Sequence, residues 1–258
     1  MKQDENGETK MRALVLYPYP LEPDGQSLQG HYLAKGLREL GHDVISCNRD
    51  DDLQKLHAYK SFKPEVVIGV GYWGNTPELI QSPHNHGLIA VPWFNADGWV
   101  ANYHNVLNDL PLLVATSNWV KSTYIRDNVK GEHIQVCPIG FDPDIFYPKP
   151  RGSEEIRKLR ELLGISDNEV MIFTAGGDVT SKGAQEMFKA LAKIGEIFPN
   201  WKYVLKTYDE ESAGGHMGDE ERLIDELGID KDKISDTNIM RKDLALFFKN
   251  FEDKIIIF

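Results

Sequence analysis

Short apolar runs alternate along this chain with helical patterns, and no other feature of the sequence limits its fold so tightly. In the first half the runs are Ala13–Tyr17, Asp43–Cys47, Glu65–Val70, Leu88–Trp93, Leu112–Ala115 and Ile134–Cys137. Most are apolar on both faces, as strands must be when helices cover both sides of a sheet. Between the first two, Leu28, Tyr32, Leu33, Leu37 and Leu40 share one helical face, and Gly41 stands where a glycine ends a helix. The reading is a succession of β-α-β units around a parallel sheet.

Four prolines between Pro138 and Pro150 are too many for a helix or a central strand, so the chain crosses there from one body to another. Beyond them a helix is predicted over Glu154–Leu163, then a strand at Val170–Thr174. The next helix has its apolar face at Met187, Leu191, Ile194 and Phe198, and another strand follows at Trp201–Lys206. Asp209–Glu221 is acidic and glycine-rich and reads as a mobile loop, and Lys254–Phe258 as the start of a strand. The chain therefore divides into a disordered leader (1–11), a first α/β domain (12–137), a linker (138–152) and a second α/β domain (153–258) that reads as incomplete, with three strands where a sheet of this kind has five or six.

Charge narrows the function. The net charge is −11, and acidic residues outnumber basic ones on both sides of residue 150. Neither half offers the basic footprint of a nucleic-acid binder, so no nucleic-acid partner is expected. No apolar run approaches the ~20 residues needed to span a bilayer, and the leader lacks a signal segment. A soluble cytoplasmic protein is implied, with peripheral membrane contact its one route to a bilayer. Cys47 and Cys137, far apart and each at a strand end, read as reduced core thiols.

Two strand-to-helix turns carry ligand chemistry. After the opening strand, Asp24 and Gly25 precede a helix; a glycine lets a ligand approach the backbone, and first-turn amides favour an anion. After Val170–Thr174 comes Gly176-Gly177-Asp178-Val179-Thr180-Ser181-Lys182-Gly183. Paired glycines expose N–H groups, Ser181 adds a hydroxyl and Lys182 a cation, a set suited to phosphate oxygens. The Gly-Lys-Ser/Thr order of a Walker loop is absent. Three other patterns have simpler explanations. Gly69, Gly71 and Gly74 spell G-x-G-x-x-G with Asp97 downstream, as in a dinucleotide site, but the motif follows the third strand, and Tyr72 and Trp73 are bulky where a pyrophosphate would lie. Asp50–Asp52 reads as a helix start, not a metal-binding D-x-D, and His84 and His86 as a loop without a third ligand. No metal or other cofactor is assigned.

The pieces together resemble the family-4 glycosyltransferases (glycosyltransferase group 1), retaining enzymes of the GT-B fold with two Rossmann-like domains. The resemblance begins at Leu40-Gly41-His42-Asp43-Val44, similar to the family's L-x-x-x-G-H-x-V ending, and continues through Ala115-Thr116-Ser117-Asn118-Trp119-Val120. Its most specific part is Pro138-Ile139-Gly140-Phe141-Asp142-Pro143-Asp144-Ile145-Phe146-Tyr147-Pro148, similar to P-N-G-V-D-x-x-x-F-x-P, with Ile139 replacing the usual Asn. It implies a nucleotide-diphosphate sugar donor whose diphosphate is bound by Gly25, Gly176, Gly177, Ser181 and Lys182, with no obligatory metal. Gly177 stands where the family has arginine. Asn95 and Asp97 are the candidate catalytic residues, because no histidine follows the fourth strand. The family's late Glu motif is not found up to Phe258, which implies either a fragment, expected to be inactive or weakly active alone, or a nucleotide held differently. A nicotinamide-dependent oxidoreductase and a non-catalytic binding module with this fold are the alternatives; acceptor, donor base and oligomeric state are left open.

Overall fold

The structure, a computed structural model, describes residues 2–3, 9–22, 24–96, 98–144, 147–150, 152–175, 183–206 and 217–237. The chain divides into two compact units, Met1–Gly140 and Phe141–Phe258.

Six parallel strands form the sheet of the first unit: β1 (Arg12–Tyr17), β2 (Asp43–Asn48), β3 (Val66–Tyr72), β4 (Ile89–Asn95), β5 (Leu113–Ala115) and β6 (Ile134–Val136). They are ordered β2-β1-β3-β4-β5-β6, so β1 is paired on both sides, with Leu14 opposite Ile45 and Val67. The predicted strands are all present, displaced at their ends by a residue or two. Because side chains alternate across a strand, Leu14 and Leu16 enter one core and Val15 and Tyr17 the other.

Helix α1 (Gly25–Glu39) covers the Val15–Tyr17 side, packing Leu33, Ala34 and Leu37 with Val70 and Trp93. On the opposite side lie α2 (Asp52–Ser61), a π-helical turn at Pro77–Gln81 leading into α3 (Ser82–Asn85), α4 (His104–Asn108) and α5 (Asn118–Arg126). They supply Ala58, Tyr59, Leu79, Ile80, Leu107, Val120 and Tyr124 to the larger core. Ahead of the sheet, Lys2–Gln3 pair antiparallel with Thr9–Lys10.

Cys47 is buried, as expected, and burial pushes its thiol up to about 11. Cys137 corrects the core-thiol reading: β6 ends at Val136, and the thiol one residue later is exposed.

The second unit holds β7 (Val170–Ala175), β8 (Trp201–Lys206) and β9 (Ile234–Thr237), parallel and ordered β9-β8-β7. Helices α6 (Glu154–Leu162) and α7 (Ala184–Ile197) fall where the periodicity predicts them. The loop expected through Glu221 is corrected at its end by α8 (Met217–Glu226). Its Ile224 is buried against Phe188, Leu191, Trp201 and Tyr203, with Leu223 and Leu227 packed beside it. Gly228, at φ +63°, ends the helix, and the Ile229 amide returns to the Ile224 carbonyl at 3.1 Å. The predicted terminal strand at 254–258 lies outside the described residues.

One contact fixes how closely α1 approaches the sheet. A Cβ on Gly30 would stand 2.2 Å from Cγ and 2.5 Å from Cβ of the buried Tyr17. The Tyr17 Cβ cannot rotate away, so Gly30→Ala must push helix and strand apart. Denaturant unfolding is expected to show a loss of about 1–3 kcal/mol, outweighing alanine's better helix propensity; an unchanged midpoint contradicts the packing.

Candidate active site

In an open parallel sheet, ligands bind beyond the carboxyl ends of the strands where the strand order reverses. Here that place is the crevice between β1, from which the chain departs to β2, and β3, to which it returns.

The turn after β1 is built by local polar bonds. Ser27 Oγ donates to the Pro18 carbonyl at 2.7 Å and accepts from the Glu22 amide at 2.8 Å, folding the turn onto the first turn of α1. Asp24 is the N-cap; its Oδ1 accepts from the Gln26 amide at 2.9 Å and the Ser27 amide at 3.1 Å. Two first-turn amides therefore already face a carboxylate. Gly25 is exposed, with nothing within 4 Å of the place where a Cβ would stand, so a ligand can reach its backbone.

Beyond β2, Arg49 spans the ends of β1 and β3. Its amide donates to the Tyr17 carbonyl at 3.1 Å, and its Nη1 donates to the Val70 carbonyl at 3.1 Å and to Gln26 Oε1. Nε lies 3.5 Å from the Asp50 carboxylate without a hydrogen bond. Asp51 is the N-cap of α2, accepting from the Gln54 amide at 2.9 Å, and Asp52 pairs at 2.9 Å with the buried ammonium of Lys55. The acidic run is thus a helix start, as read from the sequence. His84 sits in α3 and His86 at its end, with His86 Nδ1 2.8 Å from the Ser82 carbonyl oxygen, which corrects the loop reading. Among the described residues no group of three His, Cys, Asp or Glu could hold a metal ion.

The glycines that spell a dinucleotide motif are filled by the protein itself. A Cβ on Gly69 would meet Leu79 Cβ at 2.7 Å, one on Gly71 would meet Asn75 Oδ1 at 2.6 Å, and one on Gly74 would meet the Tyr72 ring at 2.6 Å. They let the π-helical turn and the Tyr72–Asn75 turn pack on β3, and Asn75 Oδ1 also accepts from the Tyr72 amide at 3.3 Å.

Asn95 ends β4 beside Tyr72 of β3. Its carbonyl accepts from the buried Tyr124 hydroxyl at 3.0 Å, while no hydrogen bond among the described residues engages its carboxamide. Asp97 lies outside the described residues. The segment on its far side is tied to the end of α5: Arg126 Nη2 donates to the Gly98 carbonyl at 2.6 Å, and Asp127 Oδ2 accepts from the Val100 amide at 2.6 Å. Asp127 also pairs with Arg126 Nε at 2.7 Å. The Arg126 guanidinium, then the Val100 amide, hold the Asp127 carboxyl down at about 2.

Gly176, Gly177, Ser181 and Lys182 also lie outside the described residues. The structure bounds their loop: β7 ends at Ala175, and Gly183, at φ +72° as the N-cap of α7, takes a left-handed conformation that favours glycine. Among the described residues no helix is long and apolar enough to cross a membrane.

No family model matches the chain, and no curated protein matches it. Its fold does have solved counterparts. The structure of HepE from Anabaena in complex with UDP and glucose is 17% identical, with a TM-score of 0.67 over 88% of this chain and 69% of that one. A glycosyltransferase from Rickettsia africae is 16% identical, with a TM-score of 0.69 over 90% and 70% of the two chains. The lipopolysaccharide outer core galactosyltransferase WaaB is 11% identical, at 0.52 over 88% and 68%. The fold is therefore that of the GT-B glycosyltransferases, with Rossmann-like parallel-sheet units.

Sequence reading missed Arg49, Tyr124, Arg126 and Asp127. Arg49 was hidden beside the conspicuous Asp50–Asp52, and the other three act on main-chain atoms, which leave no motif.

The lowered Asp127 value has a pH consequence. A carboxyl whose value falls on folding, here from the ordinary 3.8 to about 2, adds stability that is complete above the unfolded value and lost as pH drops through the folded one. The bonds to Arg126 and Val100 are therefore expected to persist from neutral pH to about 4 and to fail toward pH 2. A carbon-13 NMR titration of the Asp127 carboxyl should show its midpoint near the lower figure; a midpoint near 4 contradicts the pairing.

Proposed function

We propose that this protein is a glycosyltransferase that moves a sugar from a nucleotide-diphosphate donor to an acceptor with retention and without a metal. The observation that carries the reading is the GT-B architecture, shared with HepE, whose structures hold UDP and UDP-glucose. The resemblance of Pro138–Pro148 to the family's interdomain signature supports it independently.

Breaking the bond between sugar and diphosphate leaves negative charge on the departing oxygens, so catalysis requires fixed donors aimed at them. Lys182 supplies a cation, Ser181 a hydroxyl, and Gly176 and Gly177 main-chain amides, between a strand and a helix N-terminus. The open approach to Gly25 supports its place among the donor-binding residues. Asn95, whose carboxamide no hydrogen bond engages among the described residues, is proposed to face the transferring sugar together with Asp97. In this reading the chain acts in the cytoplasm and any membrane contact is peripheral.

The glycine motif at Gly69–Gly74 argues against the nicotinamide alternative, because Leu79, Asn75 and Tyr72 crowd the positions a pyrophosphate would need. A binding module without chemistry is the reading that an absence of turnover would favour.

Two measurements test the proposal. Calorimetric titration with UDP and GDP should show Lys182→Ala weakening the nucleotide diphosphate that binds by about 1.5–3 kcal/mol, the worth of a charge-assisted bond; unchanged affinity removes Lys182 from the site. Donor turnover should survive EDTA. Loss of activity restored by Mn²⁺ or Mg²⁺ overturns metal independence.

A further inference from the structure

Three hydrogen bonds from one short stretch of α5 converge on the main chain that leaves β4. Tyr124 Oη holds the Asn95 carbonyl at 3.0 Å, Arg126 Nη2 holds the Gly98 carbonyl at 2.6 Å, and Asp127 holds the Val100 amide at 2.6 Å. A segment leaving a sheet has lost its ladder partners, and its orientation is set by whatever bonds replace them. All three replacements here are side chains, and they meet the segment on both sides of residue 97.

Their chemistry suits a rigid tie. Tyr124 is fully buried, which holds its ring in place beneath the Asn95 carbonyl that its hydroxyl reaches. Arg126 and Asp127 form a charge-assisted pair through both Nε and Nη2, at 2.7 and 2.8 Å, and each uses its remaining capacity on the segment. Among the described residues no hydrogen bond engages the Asn95 carboxamide, while its carbonyl is held. Such an arrangement, with the main chain fixed and the carboxamide not hydrogen-bonded among the described residues, is suited to presenting it to a ligand.

We propose that Tyr124, Arg126 and Asp127 are positioning residues that clamp the segment after β4 and set the orientation of Asn95 toward the transferring sugar. The proposal rests on the glycosyl-transfer reading for its ligand and on geometry alone for the clamp.

The test uses the full chain with Tyr124→Phe, Asp127→Ala and Asp127→Asn, and with Ser122→Ala as a control on the same helix, whose hydroxyl bonds only to the Asn118 carbonyl. Hydrogen exchange of peptides spanning residues 96–103 reads the clamp without any substrate. Turnover of the nucleotide-sugar donor reads its effect. Exchange should accelerate in Tyr124→Phe and Asp127→Ala, less in Asp127→Asn, and not in Ser122→Ala. kcat should fall on the order of 10- to 100-fold, the cost of a small misplacement at the reacting centre, with the KM for donor within about twofold. Unchanged exchange overturns the clamp. Faster exchange with unchanged kcat in an active enzyme overturns the positioning role, and a parallel rise in KM with kcat constant assigns these residues to ground-state binding instead. Absence of turnover by the unsubstituted protein overturns the glycosyl-transfer reading and with it the role assigned to Asn95, and the exchange arm still decides the clamp.

Discussion

The first unit is organised around β1, the strand from which every water-accessible edge has been removed. Ala13, Leu14, Val15 and Leu16 are all fully buried, their backbone paired to β2 on one side and β3 on the other. Such a strand tolerates only apolar side chains of fitted size on both faces, and it passes that demand to its neighbours. Tyr17 is the point at which the demand reaches the site. Its ring lies where a side chain at position 30 would go, so α1 rests directly on the strand end, and the Pro18–Gly25 turn has a fixed place to close. The crevice beside β3 is shaped by this close approach before any ligand-binding group is considered.

Arg49 works on the same crevice from the other side. It ties the ends of β1 and β3 to Gln26 of α1, adding a side-chain link at the tips of three elements that ladder pairing and the Gly30–Tyr17 contact already bring together. A guanidinium is suited to this because its donors diverge in one plane and can satisfy carbonyls that have run out of ladder partners. Gly69 and Gly71 of β3 and Gly74 of the turn after it serve packing as well, for their missing side chains are replaced by Leu79, Asn75 and the Tyr72 ring. The same spelling, G-x-G-x-x-G, can thus come from a need to admit phosphate or from a need to admit a neighbouring turn. Position within the fold, not the spelling, distinguishes them.

The strands of the first unit, and β7 and β8 of the second, were readable because buried parallel strands have one strong signature, short runs apolar on both faces, and turn residues bound them sharply; β9 was not, because Ile234-Ser235-Asp236-Thr237 holds a single apolar residue. Helix α1 was readable from Leu28, Tyr32, Leu33, Leu37 and Leu40 at helical spacing and Gly41 at its end, although only Leu33 and Leu37 of these pack in the core and Leu28 and Leu40 are exposed. Helix α8 was not, because its first half is Gly, Asp and Glu; the apolar residues that fix it, Leu223, Ile224 and Leu227, become a face only against Phe188 and Trp201. Cys137 was misread because a strand that ends one residue early turns a core position into an exposed one. At the candidate site the sequence pointed to Gly25 and Asn95 by their places after β1 and β4. It could not show what holds them, since Tyr124, Arg126 and Asp127 bind carbonyls and an amide that every residue possesses.

The Asp24 cap has a further meaning for ligand entry. Helix ends attract anions, and here the protein has placed one of its own on the Gln26 and Ser27 amides. A tethered carboxylate competes with a dissolved anion at an effective concentration far above that of any metabolite. That end of α1 therefore behaves as a plugged socket: a diphosphate can still lie against Gly25, but it gains little from the helix itself and must draw its charge neutralisation from cations elsewhere. The approach to Gly25 is thus open in shape, while the first-turn amides beside it already face a charge of the protein's own.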